Sequence, residues 1–202
     1  MNLLCVAAWE PELTRFRELA RWIRTEPVGI GLVDAAIRTA ELVADHKPQH
    51  VAFLGTCGSA RADLAIGDVI LATEVTPRLE EGSELLGARK FAPAVDPALR
   101  AALEAAGAKP ARVVNTVGVT TSDALATEIA KLGDVEHLES LGVVRACERA
   151  GVPCAIVLAV ANEVGARGRD QWKANHVAAS ARAAEALFAA ISRVSTRAPS
   201  PA

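Results

Sequence analysis

Residues 135–172 read VEHLESLGVVRACERAGVPCAIVLAVANEVGARGRDQW. A segment carrying Glu136 and Glu139 leads into an Ala-rich helical pattern. Gly151-Val152-Pro153 breaks it, and the apolar run Cys154 to Ala161 follows. That run stops on Asn162-Glu163-Val164-Gly165. A buried strand that ends on a polar residue, just after a helix opened by a carboxylate, is how open α/β folds build ligand sites. Ligands sit in the crevice at the carboxyl ends of such strands, and Glu139 and Asn162 would both face it.

The pattern repeats along the chain. Strand-like runs occur at Leu3–Ala8, Val51–Gly55, Val69–Ala72, Val113–Val117 and Cys154–Ala161. Helical periodicity fills Glu12–Ile23, Val33–His46, Pro97–Ala106, Asp123–Leu132, Leu138–Ala150 and Gln171–Val194. Strands alternating with helices predict an α/β fold with a largely parallel sheet covered on both faces. Strands that are apolar throughout, rather than at every second residue, agree with that. Residues 1–194 read as a single domain. Residues 74–95, with Pro77, Gly82, Gly87 and Pro93 among several charges, read as a solvated loop or as a lid over a site. Residues 195–202 are rich in Pro and Ser and read as a disordered tail.

With 202 residues the chain can bury a core without staples. It has no tyrosine and few aromatics, so Ala, Val, Leu and Ile must fill that core. A formal charge of −2 leaves no basic footprint and argues against nucleic acid as a partner. The longest apolar runs are strand-sized, well short of a membrane span. Met1 to Ala8 lacks the basic region and length of a signal peptide and reads as a first strand. Cys5, Cys57, Cys147 and Cys154 show no paired spacing, which fits buried free thiols in a reducing cytoplasm better than disulfides or zinc. His46, His50, His137 and His176 form no metal spacing either.

Four further motifs bear on a site. Gly29-Ile30-Gly31 opens a helix and lets backbone N–H groups approach a ligand, although tight packing explains it equally well. It lacks the third glycine of a dinucleotide fingerprint. Gly55-Thr56-Cys57-Gly58-Ser59 puts small residues and hydroxyls at a strand's carboxyl end, a place for a sugar or a water or simply a turn. In Trp9-Glu10-Pro11-Glu12, Pro11 suits a helix start and Glu12 the positive end of the helix dipole. Glu12 also ends a central strand, where it could activate a water. Thr120-Thr121-Ser122-Asp123 reads first as a helix cap.

Taken in order these motifs resemble the nucleoside phosphorylase and nucleosidase superfamily. The segments are Glu12, Gly29-Ile30-Gly31, Gly55-Thr56-Cys57-Gly58, Gly67-Asp68-Val69, Ser122-Asp123-Ala124, Glu136-His137-Leu138-Glu139 and the strand ending at Asn162. The resemblance covers nearly the whole chain and is closest to the hydrolase branch, which holds methylthioadenosine/S-adenosylhomocysteine nucleosidase and futalosine hydrolase. It implies a three-layer αβα fold around a mixed, largely parallel twisted sheet. It also implies a small purine nucleoside as substrate, no metal or cofactor, and a homo-oligomer, commonly a dimer. Glu139 matches the carboxylate that binds the ribose hydroxyls, with Leu138 where a methionine usually meets the sugar. Glu12 matches the acid that deprotonates the attacking water. Thr56 and Gly58 match small residues beside that water and the sugar. Leu125 and Ala126 match positions lining the base, where an aromatic is common. Asn162 matches the residue that hydrogen-bonds N7 of the departing purine.

Departures from the family pattern separate its branches. Phosphorylases carry an arginine before the Gly-Thr-Cys-Gly segment, where this chain has Phe53-Leu54. Without it a phosphate would be desolvated uncompensated, so water becomes the expected nucleophile. Asn162 stands where the aminopurine-cleaving enzymes have Asp. An uncharged amide does not repel the O6 of a 6-oxopurine, so a hypoxanthine-type base is expected. The run Asn162 to Trp172 resembles that of futalosine hydrolase, an enzyme of menaquinone synthesis. Between Glu12 and Gly29 there is room for one helix only, which implies a shortened N-terminal region. A phosphorylase and a catalytically inactive nucleoside-binding protein remain open as alternatives.

Overall fold

The structure, a computed structural model, describes residues 2–80, 83 and 90–197. Strand β1 (Leu3–Ala7) is buried along its whole length, and its side chains alternate between two cores. Leu3, Cys5 and Ala7 enter one core with helices α1 (Glu10–Leu19), α3 (Pro97–Ala105) and α6 (Gly168–Arg197). Leu4 and Val6 enter the other with α2 (Leu32–His46) and α5 (Ser140–Ala150). Strand β7 (Cys154–Glu163) divides in the same way. Two covered faces explain why both strands read as unbroken apolar runs.

The remaining elements are β2 (Arg24–Pro27), β3 (His50–Ser59), β4 (Val69–Pro77), β5 (Lys109–Asn115), α4 (Asp123–Leu132) and β6 (Val135–His137). Strand order is β2-β1-β3-β6-β5-β4-β7, and β3 also pairs with β7. The pairings β3–β7, β7–β4, β4–β5, β5–β6 and β6–β3 therefore close into a barrel-like ring, with β1 and β2 extending from β3. Pairing is parallel except for β3–β6 and β4–β7. The expected mixed, largely parallel αβα architecture is what the chain forms.

Several boundaries differ from expectation. The stretch between Glu12 and Gly29 holds more than one helix, because β2 adds a parallel edge strand beside β1. Its sequence, Arg-Thr-Glu-Pro, is only half buried and has no apolar alternation to announce it. β3 continues to Ser59, so Gly55 to Ser59 is strand and not a turn. β6 is three residues long, in the segment that leads into α5. Of the region expected to be a loop or lid at 74–95, residues 81–82 and 84–89 lie outside the described residues. Its described ends carry β4 to Pro77 and pair Phe91 with Val75. Residues 195–197, expected to belong to a disordered tail, continue α6 to Arg197, and 198–202 lie outside the described residues. All four cysteines are buried and free. Among the described residues no helix is long and apolar enough to cross a membrane.

Candidate active site

The carboxyl ends of β1, β3 and β7 lie side by side, because these three strands are parallel. A cavity of about 510 Å³ opens there. Glu12, Thr56, Gly58, Leu138, Glu139 and Asn162 all line it.

Glu12 enters from the first turn of α1, which Pro11 opens. Its Oε1 accepts from the Thr56 backbone N–H (3.2 Å) and hydroxyl (3.3 Å). Its Oε2 is buried without a protein partner. Burial, and then the negative charge of Glu139, push its pKa up to about 8 against the two Thr56 hydrogen bonds. A carboxyl poised near neutrality in the wall of a cavity can exchange a proton with a bound molecule. Trp172, from the first turns of α6, donates its indole N–H to the Thr56 hydroxyl (3.1 Å). Trp172 stacks on His176 at 4.3 Å, and Trp9 closes the cluster at 6.2 Å from Trp172. A three-membered chain, indole to hydroxyl to carboxyl, thus fixes the Glu12 head group.

Glu139 sits opposite, at the N-terminus of α5. Its Oε1 accepts from the Gly31 N–H at 2.7 Å, and its Oε2 lies 3.3 Å from His137 Nε2. Gly31 has φ +92°, a left-handed conformation that glycine adopts without strain. The Gly-x-Gly turn therefore presents the Gly31 amide to the site's carboxylate. The 138–141 turn is pinned by Asn115, whose amide donates to the Leu138 carbonyl (3.0 Å) and accepts from the Leu141 N–H (2.9 Å). Glu136 also lines the cavity, and its carboxylate accepts from the Thr120 N–H and hydroxyl.

Asn162 reaches the cavity through a break in register. Cys57 pairs with Val160, but Gly58 pairs with Asn162, so one residue of β7 is bulged. A bulge next to a site re-aims the following side chain. Asn162 Nδ2 then donates to the Glu163 carbonyl at 2.8 Å. A Cβ on Gly58 would stand 2.9 Å from that nitrogen, so the glycine is what lets the amide lie against β3. Asp123 Oδ1 holds the Ala166 N–H (2.9 Å) and so ties α4 to the loop between Asn162 and α6. Ser122 is the N-cap residue of α4 but gives no side-chain cap bond.

Leu125 and Ala126 do not line this cavity. Leu125 is exposed, and Ala126 packs on the small cluster of Val114, Ile129 and Val164. Val119 and Thr121, from the loop before α4, stand at the wall instead. Trp9, Glu136, His137, Arg169 and Trp172 line the cavity without having been proposed for it. The tryptophans were the findable ones, since an aromatic beside Glu12 and another ten residues after Asn162 stand out in a chain with few aromatics. Among the described residues no group of three His, Cys, Asp or Glu side chains could hold a metal ion.

The fold and this cavity define a class. The chain belongs to the phosphorylase superfamily, whose family model matches residues 24–196. Its curated relatives there are N-glycosyl hydrolases. Futalosine hydrolase of Streptomyces coelicolor is 30% identical over 165 residues, 72% of this chain and 69% of that protein. A 5′-methylthioadenosine/S-adenosylhomocysteine nucleosidase of Marinomonas sp. is 27% identical over 153 residues, 68% of this chain and 66% of that one. Among solved structures, futalosine hydrolase of Helicobacter pylori superposes with a TM-score of 0.86, covering 95% of this chain and 97% of its own. At 16% identity that likeness is one of fold.

Proposed function

We propose that the protein is a purine nucleoside N-glycosidase that uses water. The observation that carries this is Glu12, whose buried and unpartnered Oε2 shares a cavity with Glu139. In this reading Glu139 accepts hydrogen bonds from the ribose hydroxyls. The C1′–N9 bond breaks through an oxocarbenium-like state and its electron pair leaves with the purine. Water attacks C1′ and gives a proton to Glu12 Oε2. Asn162 donates an N–H to the departing base, and because an amide cannot give up that proton, the base takes its own from solvent. The cavity lining favours water over phosphate, since among the described residues Glu12, Glu136 and Glu139 share it with one cation, the exposed Arg169. Reduced thiols and the hydrolase relatives support a cytoplasmic enzyme.

The finer reading is a 6-oxopurine nucleoside of the futalosine type, which would place the enzyme in menaquinone synthesis. It is supported by the uncharged Asn162 and by the futalosine hydrolase relative. A second reading, an adenine nucleoside, has its own observation. Among the described residues nothing donates to Asn162 Oδ1, and an amide offering one donor and one acceptor matches the N7 and N6 edge of adenine.

Purine release from inosine, futalosine, methylthioadenosine and S-adenosylhomocysteine, with and without phosphate, tests both levels. Hypoxanthine release that is faster and independent of phosphate is the expected result. An absolute phosphate requirement sinks the hydrolase, and faster adenine release sinks the 6-oxopurine. Asn162→Asp should move preference toward adenine compounds by about tenfold, the worth of one mismatched buried polar contact. We also propose a homodimer through the exposed apolar residues Ile30, Val33, Ile37, Val117 and Val119, two of which border the cavity. A monomeric mass by light scattering at assay concentration would exclude it.

A further inference from the structure

His137 looks at first like a core residue that happens to lie near the cavity. It is buried, and its ring meets Phe53 edge-on at 5.2 Å between centroids. Its surroundings nevertheless assign each ring nitrogen a separate task. Nδ1 lies 3.3 Å from the Glu139 backbone nitrogen, 3.2 Å from that of Ser140 and 2.8 Å from the Ser140 hydroxyl. Backbone amides only donate, so Nδ1 must present its lone pair. The ring proton is then on Nε2, which faces Glu139 Oε2 at 3.3 Å. A doubly protonated ring would aim an N–H at two others, and burial likewise lowers the pKa of His137.

This arrangement solves a local conflict. Glu139 is the N-cap residue of α5, and an N-cap side chain ordinarily bonds the first amides of its own helix. Here Glu139 makes no such bond: the Leu141 N–H goes to Asn115 Oδ1, and the Ser140 N–H, with that of Glu139 itself, goes to His137 Nδ1. The carboxylate is released from capping and turns to the cavity. Its orientation is then set from two sides, by Gly31 N–H on Oε1 and by His137 N–H on Oε2. Gly55 makes room for the ring, since a Cβ there would stand 3.3 Å from His137 Nε2 and 2.9 Å from Phe53.

We propose that His137 is a positioning residue for sugar recognition: as the Nε2–H tautomer it caps α5 with one nitrogen and holds Glu139 toward the vicinal hydroxyls of a ribonucleoside with the other. This rests on the reading of Glu139 as the ribose carboxylate. The two tasks can be separated by substitution. Asn places an acceptor near Nδ1 and keeps the cap but cannot reach Glu139. Gln reaches the position of Nε2 and keeps the donor but loses the cap.

The test measures inosine KM and equilibrium binding by calorimetry for His137→Asn, His137→Gln, Glu139→Gln and the pair His137→Asn with Glu139→Gln. Nitrogen-15 NMR of the wild type reads the tautomer directly. Expected are a lone-pair-type Nδ1 and a protonated Nε2, with inosine binding weakened about ten- to a hundredfold in His137→Asn, as for a lost hydrogen bond to a charged group. His137→Gln should restore binding to within a few fold at a lower Tm. His137→Asn should add nothing on the Glu139→Gln background. A proton on Nδ1 overturns the proposal, as does unchanged binding in His137→Asn or an equal loss on both backgrounds. If the wild type binds inosine but releases no purine, hydrolysis is refuted, while the binding comparison still decides the role of His137. If it does not bind inosine, both readings fall.

Discussion

Replacing Glu12 by Gln should separate the proposed catalytic role of this residue from its cost to the fold, and the two have different pH signatures. The amide oxygen of Gln can keep both Thr56 hydrogen bonds, so the local geometry survives. Glu12 has a folded pKa of about 8 against 4.5 for the solvated group. A raised folded pKa means that the folded chain holds the proton more tightly than the unfolded chain. Between these two values the unfolded state binds fewer protons, so stability falls as pH rises through that window. The interval corresponds to about 5 kcal/mol at about 1.4 kcal/mol per pH unit. For a chain of this size that is about 10–20 °C in Tm. Below pH 4.5 the wild type and Glu12→Gln should melt together, and above pH 8 the variant should be the more stable by that amount. In the active wild type kcat/KM, which reports the free enzyme, should rise as pH rises through about 8. Glu12→Gln should lower kcat by about 10²–10⁴, the usual worth of a general base. The measurements are Tm by calorimetry from pH 4 to 9 and purine release over the same range. Parallel Tm curves would refute the buried, proton-holding carboxyl. A variant with full activity would refute its role as the base.

Two further outcomes follow from single contacts. Trp172→Phe keeps the stack on His176 but removes the N–H that orients the Thr56 hydroxyl, so kcat should fall about fivefold with Tm little changed, the effect of about 1 kcal/mol. An unchanged kcat would remove Trp172 from the chain that orients Glu12. Gly142→Ala would place a Cβ 2.6 Å from the Leu32 carbonyl and 2.9 Å from the Ala36 nitrogen, both backbone atoms of α2. That overpacking should cost about 1–3 kcal/mol by denaturant titration and raise KM as well, since α2 begins beside the Gly31 amide that holds Glu139. Wild-type stability would show that α2 and α5 separate freely.

The legible part of the site was the part written in strand endings. Glu12, Thr56 and Asn162 each follow or end an apolar run, and parallel strands bring the carboxyl ends of those runs to one side whatever the details of packing, while Glu139 was legible as the carboxylate that opens a helix. What escaped notice had no periodic signal. β2 is four half-buried residues, and β6 is three, too short for alternation to mean anything. Leu125 and Ala126 were placed by resemblance alone, and in the folded chain α4 directs them to solvent and to a small packing cluster. The bulge that aims Asn162 is a property of how β7 pairs with β3, and neither strand carries a residue that announces it.

Residue order by itself determined that this is an α/β chain with a crevice at its strand ends, because burial on two faces demands continuous apolar strands and a polar stop marks where each leaves the core. It also determined which acids and amides stand at those stops. The tertiary structure alone decided what each of them touches. Trp172 meets Thr56 across 116 positions, and Gly31 meets Glu139 across 108. The difference between a solvated glutamate and one near pH 8 lies in desolvation and in a second carboxylate 127 residues away. Charge, tautomer and aim depend on neighbours brought together by packing, and a linear pattern carries no record of such neighbours.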